Sequence, residues 1–154
     1  MQKLYKENTD QEEYESVFNP RPRLQIFVSR SMPLPLLKSY AKAAEQYDAV
    51  LTFRGLPDGQ MQIQKLTELV REINGDDGKC AMNIDPESFK LFEIDTVPSI
   101  VLSENIGATN LLENKAPLYD KVTGGVTLSY ALNLFAEDGV LSDEAKTIIE
   151  GAQK

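Results

Sequence analysis

Apolar residues along this chain change their spacing several times, and the changes mark out its elements. From Leu24 the run LQIFVS is short and continuous, as a buried strand requires, and Leu36, Leu37, Tyr40, Ala44 and Tyr47 then recur at helical intervals. A first strand therefore leads directly into a first helix. The run AVLTFRG, residues 49–55, predicts a second strand closed by the turn GLPDG, and Ile63, Leu66, Leu69, Val70 and Ile73 form the stripe of a second helix ended by NGDDG. A third run, KCAMNI, meets Asp85 and Pro86. Aspartate can cap a helix there and proline fits its first position, which predicts a short helix to about Phe92.

The second half reads differently. VPSIVLSE is a strand that opens on a proline, and after the loop NIG two short candidate strands, near 108–112 and 117–122, read as a hairpin. Leu128, Ala131, Leu132 and Phe135 make the face of another helix, and Leu141, Ala145, Ile148 and Ile149 that of a last one beginning near Ser142. Residues 1–22 are polar and acidic and close with NPRPR, whose prolines discourage regular structure, so they read as an arm or tether ahead of one domain, 23–154. There is no internal repeat, low-complexity tract or linker to a second domain.

Composition narrows the chemistry. At 154 residues, 42% hydrophobic and 26% charged, the chain suits one soluble globular domain, and no apolar run nears the roughly 18 residues that span a bilayer. A net charge of −8 argues against nucleic-acid partners, whose phosphates are met by Lys and Arg. The absence of histidine excludes Ser-His and Cys-His nucleophile pairs, the usual zinc sites and imidazole acid–base catalysis. One cysteine, Cys80, allows neither an intramolecular disulfide nor a CxxC pair, and reads as a small buried hydrophobe on a central strand. Asp76, Asp77 and Asp85 lack the alternate spacing of a calcium loop. The first residues carry no basic segment followed by an apolar one, so the chain is either cytoplasmic or has lost an export signal.

The order βαβαβα, proline-opened strand, hairpin and closing helix resembles thioredoxin-like domains. This implies a three-layer α/β fold with a mixed sheet of four or five strands flanked by helices, plus an N-terminal arm and a C-terminal helix. Such domains place their active motif where the first strand meets its helix, opposite a cis-proline that opens a later strand. Here FVSRSMPLP occupies the first position, so Met32, Pro33, Leu34 and Pro35 stand where the cysteines of CxxC would be, and TVPSIV presents Pro98 at the second.

The phrases FVSRSMPLPLLKSYAKAA, VLTFRGLPDG, NIDPESFKLFEIDTVPSIVL and YDKVTGGVTLSYALNLFAEDG, from Leu24 to Gly139, resemble the TrbC family, the pilin-assembly proteins of type-F conjugative transfer systems. The resemblance implies an exported periplasmic protein of Gram-negative bacteria, needed to assemble the conjugative pilus of a type IV secretion machine and not known as an enzyme. It also implies a partner of the TraW type, and no cofactor is expected. The chain departs from that pattern in lacking an export signal, which such a protein would have lost on export.

Within this frame the junction residues have competing readings. Ser29 and Ser31 have no base to activate them, and Ser31 is better placed as a local cap of the helix. Arg30 is solvated or paired with an internal carboxylate, or else binds one on a partner; Met32 is a groove lip or plain packing; Arg54 belongs to the turn or to a binding surface. Thr96, Val97 and Pro98 supply the opposite wall, where the residue before a cis-proline leaves backbone groups free for an extended peptide. Tyr119 and Asp120, with Gly124 and Gly125, extend the groove or merely shape the hairpin. The leading expectation is a catalytically silent module whose groove, between Ser29, Arg30, Ser31 and Met32 on one side and Thr96, Val97 and Pro98 on the other, takes a partner segment. Two rivals are binding through the helical exterior, arm and last helix, and a single-cysteine thiol enzyme using Cys80.

Overall fold

A computed structural model describes residues 23–55 and 63–153, and among these the chain alternates strands and helices, in the anticipated order as far as β4. β1 (Arg23–Val28) is followed by α1 (Leu34–Tyr47), β2 (Val50–Phe53), α2 (Ile63–Asn74), β3 (Ala81–Ile84) and α3 (Pro86–Leu91). β4 (Ser99–Ser103), α4 (Ala108–Glu113), β5 (Tyr119–Thr123), α5 (Leu128–Asp138) and α6 (Ser142–Ala152) complete it. The arm 1–22 and the GLPDG turn beyond Gly55 lie outside the described residues.

The strands form one sheet in the order β3-β2-β1-β4-β5. β1 runs parallel to β2 and β2 to β3, while β4 is antiparallel to β1 and to β5. Side chains alternate across a strand, so the sheet has two faces with different covers. Leu24, Ile26, Val28, Leu51, Phe53, Ile100 and Leu102 join the larger core beneath α1, α2, α5 and α6, where α1 presents Leu37, Tyr40, Ala41 and Ala44 at helical spacing. Phe27 and Val101 point the other way, into a smaller cluster with Phe89, Leu91, Phe92 and Ile94 from α3 and the segment after it. This layered mixed sheet, with its parallel βαβ start, antiparallel β4–β5 pair and closing helix, is a thioredoxin-like α/β fold.

Local chemistry sets the element ends. α1 has Pro33 as its N-cap and Pro35 in its first turn, where backbone N–H groups have no intrahelical acceptor to lose. Asp85 caps α3 by accepting from the Ser88 N–H at 3.2 Å and the Ser88 hydroxyl at 2.7 Å, with Pro86 next in line. β5 ties both faces together. Lys121 donates to the Phe92 and Glu93 carbonyls at 3.0 and 3.3 Å at the end of α3, while neighbouring Asp120 accepts from the Val140 and Leu141 N–H groups, both at 2.9 Å, at the start of α6. Gly139 is needed there because a Cβ would lie 2.6 Å from the Phe135 carbonyl oxygen.

Two sequence expectations are corrected. The proposed hairpin of strands near 108–112 and 117–122 is half helix: residues 108–113 form α4, begun by the Asn110 side chain accepting the Gly107 N–H at 2.8 Å, and only β5 pairs with β4. No residue of α4 is buried, so it carries no apolar stripe to announce itself. Cys80 is buried as expected, but at the entrance to the edge strand β3 and not on a central strand. Both its N–H and its carbonyl are engaged by the Asn74 side chain at 3.2 Å, which ties the end of α2 to this strand.

A candidate binding pocket at the carboxyl ends of the parallel strands

The register brings the ends of β1, β2 and β3 together with the start of β4 and the end of β5: Val28 faces Phe53, Phe53 faces Ile84, Phe27 faces Ser99, and Ser99 faces Thr123. Open α/β sheets keep their ligand sites at this kind of edge. Two structures share it here, a closed turn and an open pocket.

The turn follows β1. The Met32 N–H donates to the Ser29 carbonyl at 3.0 Å, and the Ser29 N–H returns a bond to Met32 Sδ at 3.4 Å. Ser29 Oγ accepts the Ser31 N–H at 3.1 Å and shares a 2.8 Å bond with Ser31 Oγ. Ser31 therefore does not cap α1, contrary to expectation: the helix starts at Leu34, out of reach of a hydroxyl that turns back to Ser29. Arg30 Nη1 pairs with Glu72 Oε1 of α2 at 3.3 Å, and the Met32 side chain packs against the larger core.

Opposite the turn, the Val97–Pro98 peptide bond is cis. The Pro98 carbonyl accepts the Gly124 N–H at 2.9 Å, from a residue at φ +119° that favours glycine. The Ser99 hydroxyl donates to the Thr96 carbonyl at 2.7 Å and bonds Thr123 Oγ1 at 2.9 Å, and Tyr40 of α1 donates to the Val126 carbonyl at 2.7 Å. The end of β5 and Gly124 thus hold the loop, and Tyr40 holds the segment that follows them. Among the described residues the Val97 backbone itself makes no hydrogen bond.

Between turn and loop lies a pocket of about 210 Å³. Val28, Phe89, Ile94 and Val97 give it an apolar lining, and Ser29, Arg54, Gly55 and Asp95 complete it. Val28, Phe89 and Ile94 are buried, whereas Arg54 is exposed, with its guanidinium 5.4 Å from the centroid of the Phe89 ring. Edge contacts from Phe27 to Phe89 at 4.9 Å and from Phe27 to Phe92 at 6.2 Å support this lining from the sheet. The Asp95 carboxylate accepts the Thr96 hydroxyl at 3.3 Å, and Arg54 has no hydrogen bond or ion pair among the described residues.

Of the residues singled out in the sequence, Ser29, Arg54 and Val97 line this pocket. Arg30, Ser31, Met32, Thr96 and Pro98 belong to the flanking segments without lining it. Tyr119 lies elsewhere. It pairs with Ser103 at the opposite end of β4, four residues or roughly 13 Å from the Ser99–Thr123 pair, and its ring packs on Phe92 at 4.9 Å. Sequence reasoning missed Phe89, Ile94 and Asp95; the signal was present in FKLFEID, which joins the capped helix α3 to the proline-opened strand. Cys80 lies at the far, amino end of β3, its thiol donating to the Ala81 carbonyl at 3.2 Å. Burial, with a smaller push from Glu45, drives that thiol up to about 11 despite an opposing backbone hydrogen bond from Leu51. It is protonated at neutral pH and remote from the pocket.

A family described as type-F conjugative transfer system pilin assembly protein matches residues 26–135, most of the chain. The chain belongs to this family. As a TrbC-type protein it has a role in assembling the F-type pilus in conjugative transfer, and the matched stretch contains the turn, the pocket and the cis-proline loop. Among solved structures, that of StoA from Bacillus subtilis is similar at 16% identity and a TM-score of 0.42, covering 74% of this chain and 79% of that one. No curated protein matches it. No helix among the described residues is long and apolar enough to cross a membrane.

Proposed function

We propose that this TrbC-type chain is a non-enzymatic, periplasmic assembly factor that holds an extended segment of another pilus-assembly component, of the TraW type, in the pocket between the Ser29 turn and Val97. Residues 23–154 act as the binding domain and 1–22 as its tether. One observation carries the reading: the Val97 peptide group has no hydrogen-bond partner among the described residues, beside a pocket with an apolar wall and a polar rim at the position where redox relatives of the fold do their chemistry. An extended segment can satisfy such a backbone while a side chain enters the pocket.

The chemistry around it supports holding over reacting. Met32 and Pro35 occupy the places of sulfurs, Ser29 has no histidine to activate it, and a thiol enzyme needs an accessible low-pKa thiolate that Cys80 does not provide. The test is capture of pilus-assembly components from donor-cell envelope extracts by wild type and by an Arg54→Ala/Val97→Ala variant with an unchanged melting curve. The variant should lose most of the captured partner. Equal capture would remove the pocket from the reading. Capture lost instead with Leu112→Glu would move the contact to the 104–118 excursion, where Leu111, Leu112 and Leu118 are 49%, 85% and 57% exposed.

A further inference from the structure

We infer that the pocket selects an acidic-apolar segment of its partner, with one apolar side chain against Phe89 and Ile94 and a carboxylate two residues away on Arg54. This rests on reading the pocket as the segment-binding site and adds the chemistry of the segment. Size comes first. Cofactor and small-molecule sites run to roughly 300–1,000 Å³, and about 210 Å³ suits a single side chain. The buried walls, Phe89 at 5% and Ile94 at 4% exposure, make that side chain apolar.

Charge comes second. Ser29 is engaged with Ser31, the Asp95 carboxylate with the Thr96 hydroxyl, and the neighbouring cation Arg30 with Glu72. Arg54 is the pocket's one cation and has no hydrogen bond or ion pair among the described residues, while Asp95 keeps its negative charge at the other side of the lining. Its position over Phe89, 5.4 Å from the ring centroid, uses none of its N–H donors, whose fork matches a carboxylate. In an extended chain, residues i and i+2 share a face at roughly 6.6 Å, a spacing comparable to the 5.4 Å between guanidinium and ring centroid. The chain's net charge of −8 gives an acidic segment no long-range attraction, so the preference depends on Arg54 contact outweighing repulsion from Asp95 across the pocket.

The test uses two capped, fluorescent seven-residue peptides with Leu and Glu, or Leu and Lys, two residues apart, titrated against the full chain by polarisation. Wild type should bind the Glu peptide roughly 5-fold more tightly, the scale of a good partly exposed ion pair, and Arg54→Glu should reverse the order. Because Arg54 is exposed, the variant keeps its fold, which an unchanged melting curve confirms. Binding of both peptides with equal affinity by both proteins would overturn the charge selection and leave the pocket reading intact. No binding of either peptide by wild type would overturn both. Tighter binding of the Glu and Lys peptides alike after Glu12→Gln, Glu13→Gln and Glu15→Gln in the full chain would make its own acidic arm the occupant and overturn the partner segment, since the change in net charge alone would favour the Glu peptide and disfavour the Lys peptide.

Discussion

The turn after β1 and the pocket beside it occupy the same end of the same sheet, yet differ in what their polar groups still have to offer. In the turn, the Ser29, Ser31 and Met32 N–H groups and the Ser29 hydroxyl all bond within four residues, and Arg30 is paired with Glu72. In the pocket, Arg54 and the Val97 peptide group are without hydrogen-bond partners among the described residues. A polar group already satisfied gains little from a ligand, because binding would only exchange one hydrogen bond for another. Topology thus points to a neighbourhood, and uncommitted groups identify the residues within it that can bind.

The contrast can be broken at its foundation. Phe27 is fully buried and supports Phe89 from behind, so Phe27→Ala should cost about 3–5 kcal/mol in urea unfolding and loosen the pocket, while the turn keeps its own bonds. Peptide binding that survives this change would separate the pocket from the α3 cluster. Asp120→Ala removes the acceptor of two N–H groups at the start of α6 and should cost about 2 kcal/mol, with peptide binding unchanged at matched temperature. A parallel loss of binding would return the β5 strand to the site. Met32→Leu should change stability by less than about 1.5 kcal/mol and leave affinity alone, since Met32 packs into the core and its weak sulfur acceptor is dispensable. If affinity drops, the turn is a groove lip after all.

The smallest effect concerns Cys80. Its thiol sits at about 11 in the folded chain against an ordinary 9.0, so the unfolded chain gives up the proton first as pH rises. The contribution is complete below about pH 9 and is lost on the way to about 11. Cys80→Ala should lessen the fall in stability between pH 8 and 11, and a thiol reagent should label wild type slowly until it unfolds. Rapid native labelling would restore the thiol-enzyme alternative.

Much of this was legible along the chain. Each strand–helix step from Leu24 to Phe92 has a local signature, including the Asp85-Pro86 cap, the paired prolines opening α1 and Pro98 before β4. α4 was misread because a six-residue helix with no buried face has no period to detect. Tyr119 and Asp120 looked close to the site through their nearness in sequence to Gly124, but antiparallel pairing carries them to the other end of β4.

By itself the sequence determined which elements form, the absence of histidine and CxxC chemistry, and the family to which they belong, because periodicity, caps and composition are short-range properties. Tertiary structure alone decided that Ser29, Arg54, Phe89 and Val97 share one pocket and that Arg30 pairs with Glu72 at the surface while Met32 packs against the larger core. These residues come from four segments of the chain, and only strand register and the packing of α3 under Phe27 bring them within reach of one another.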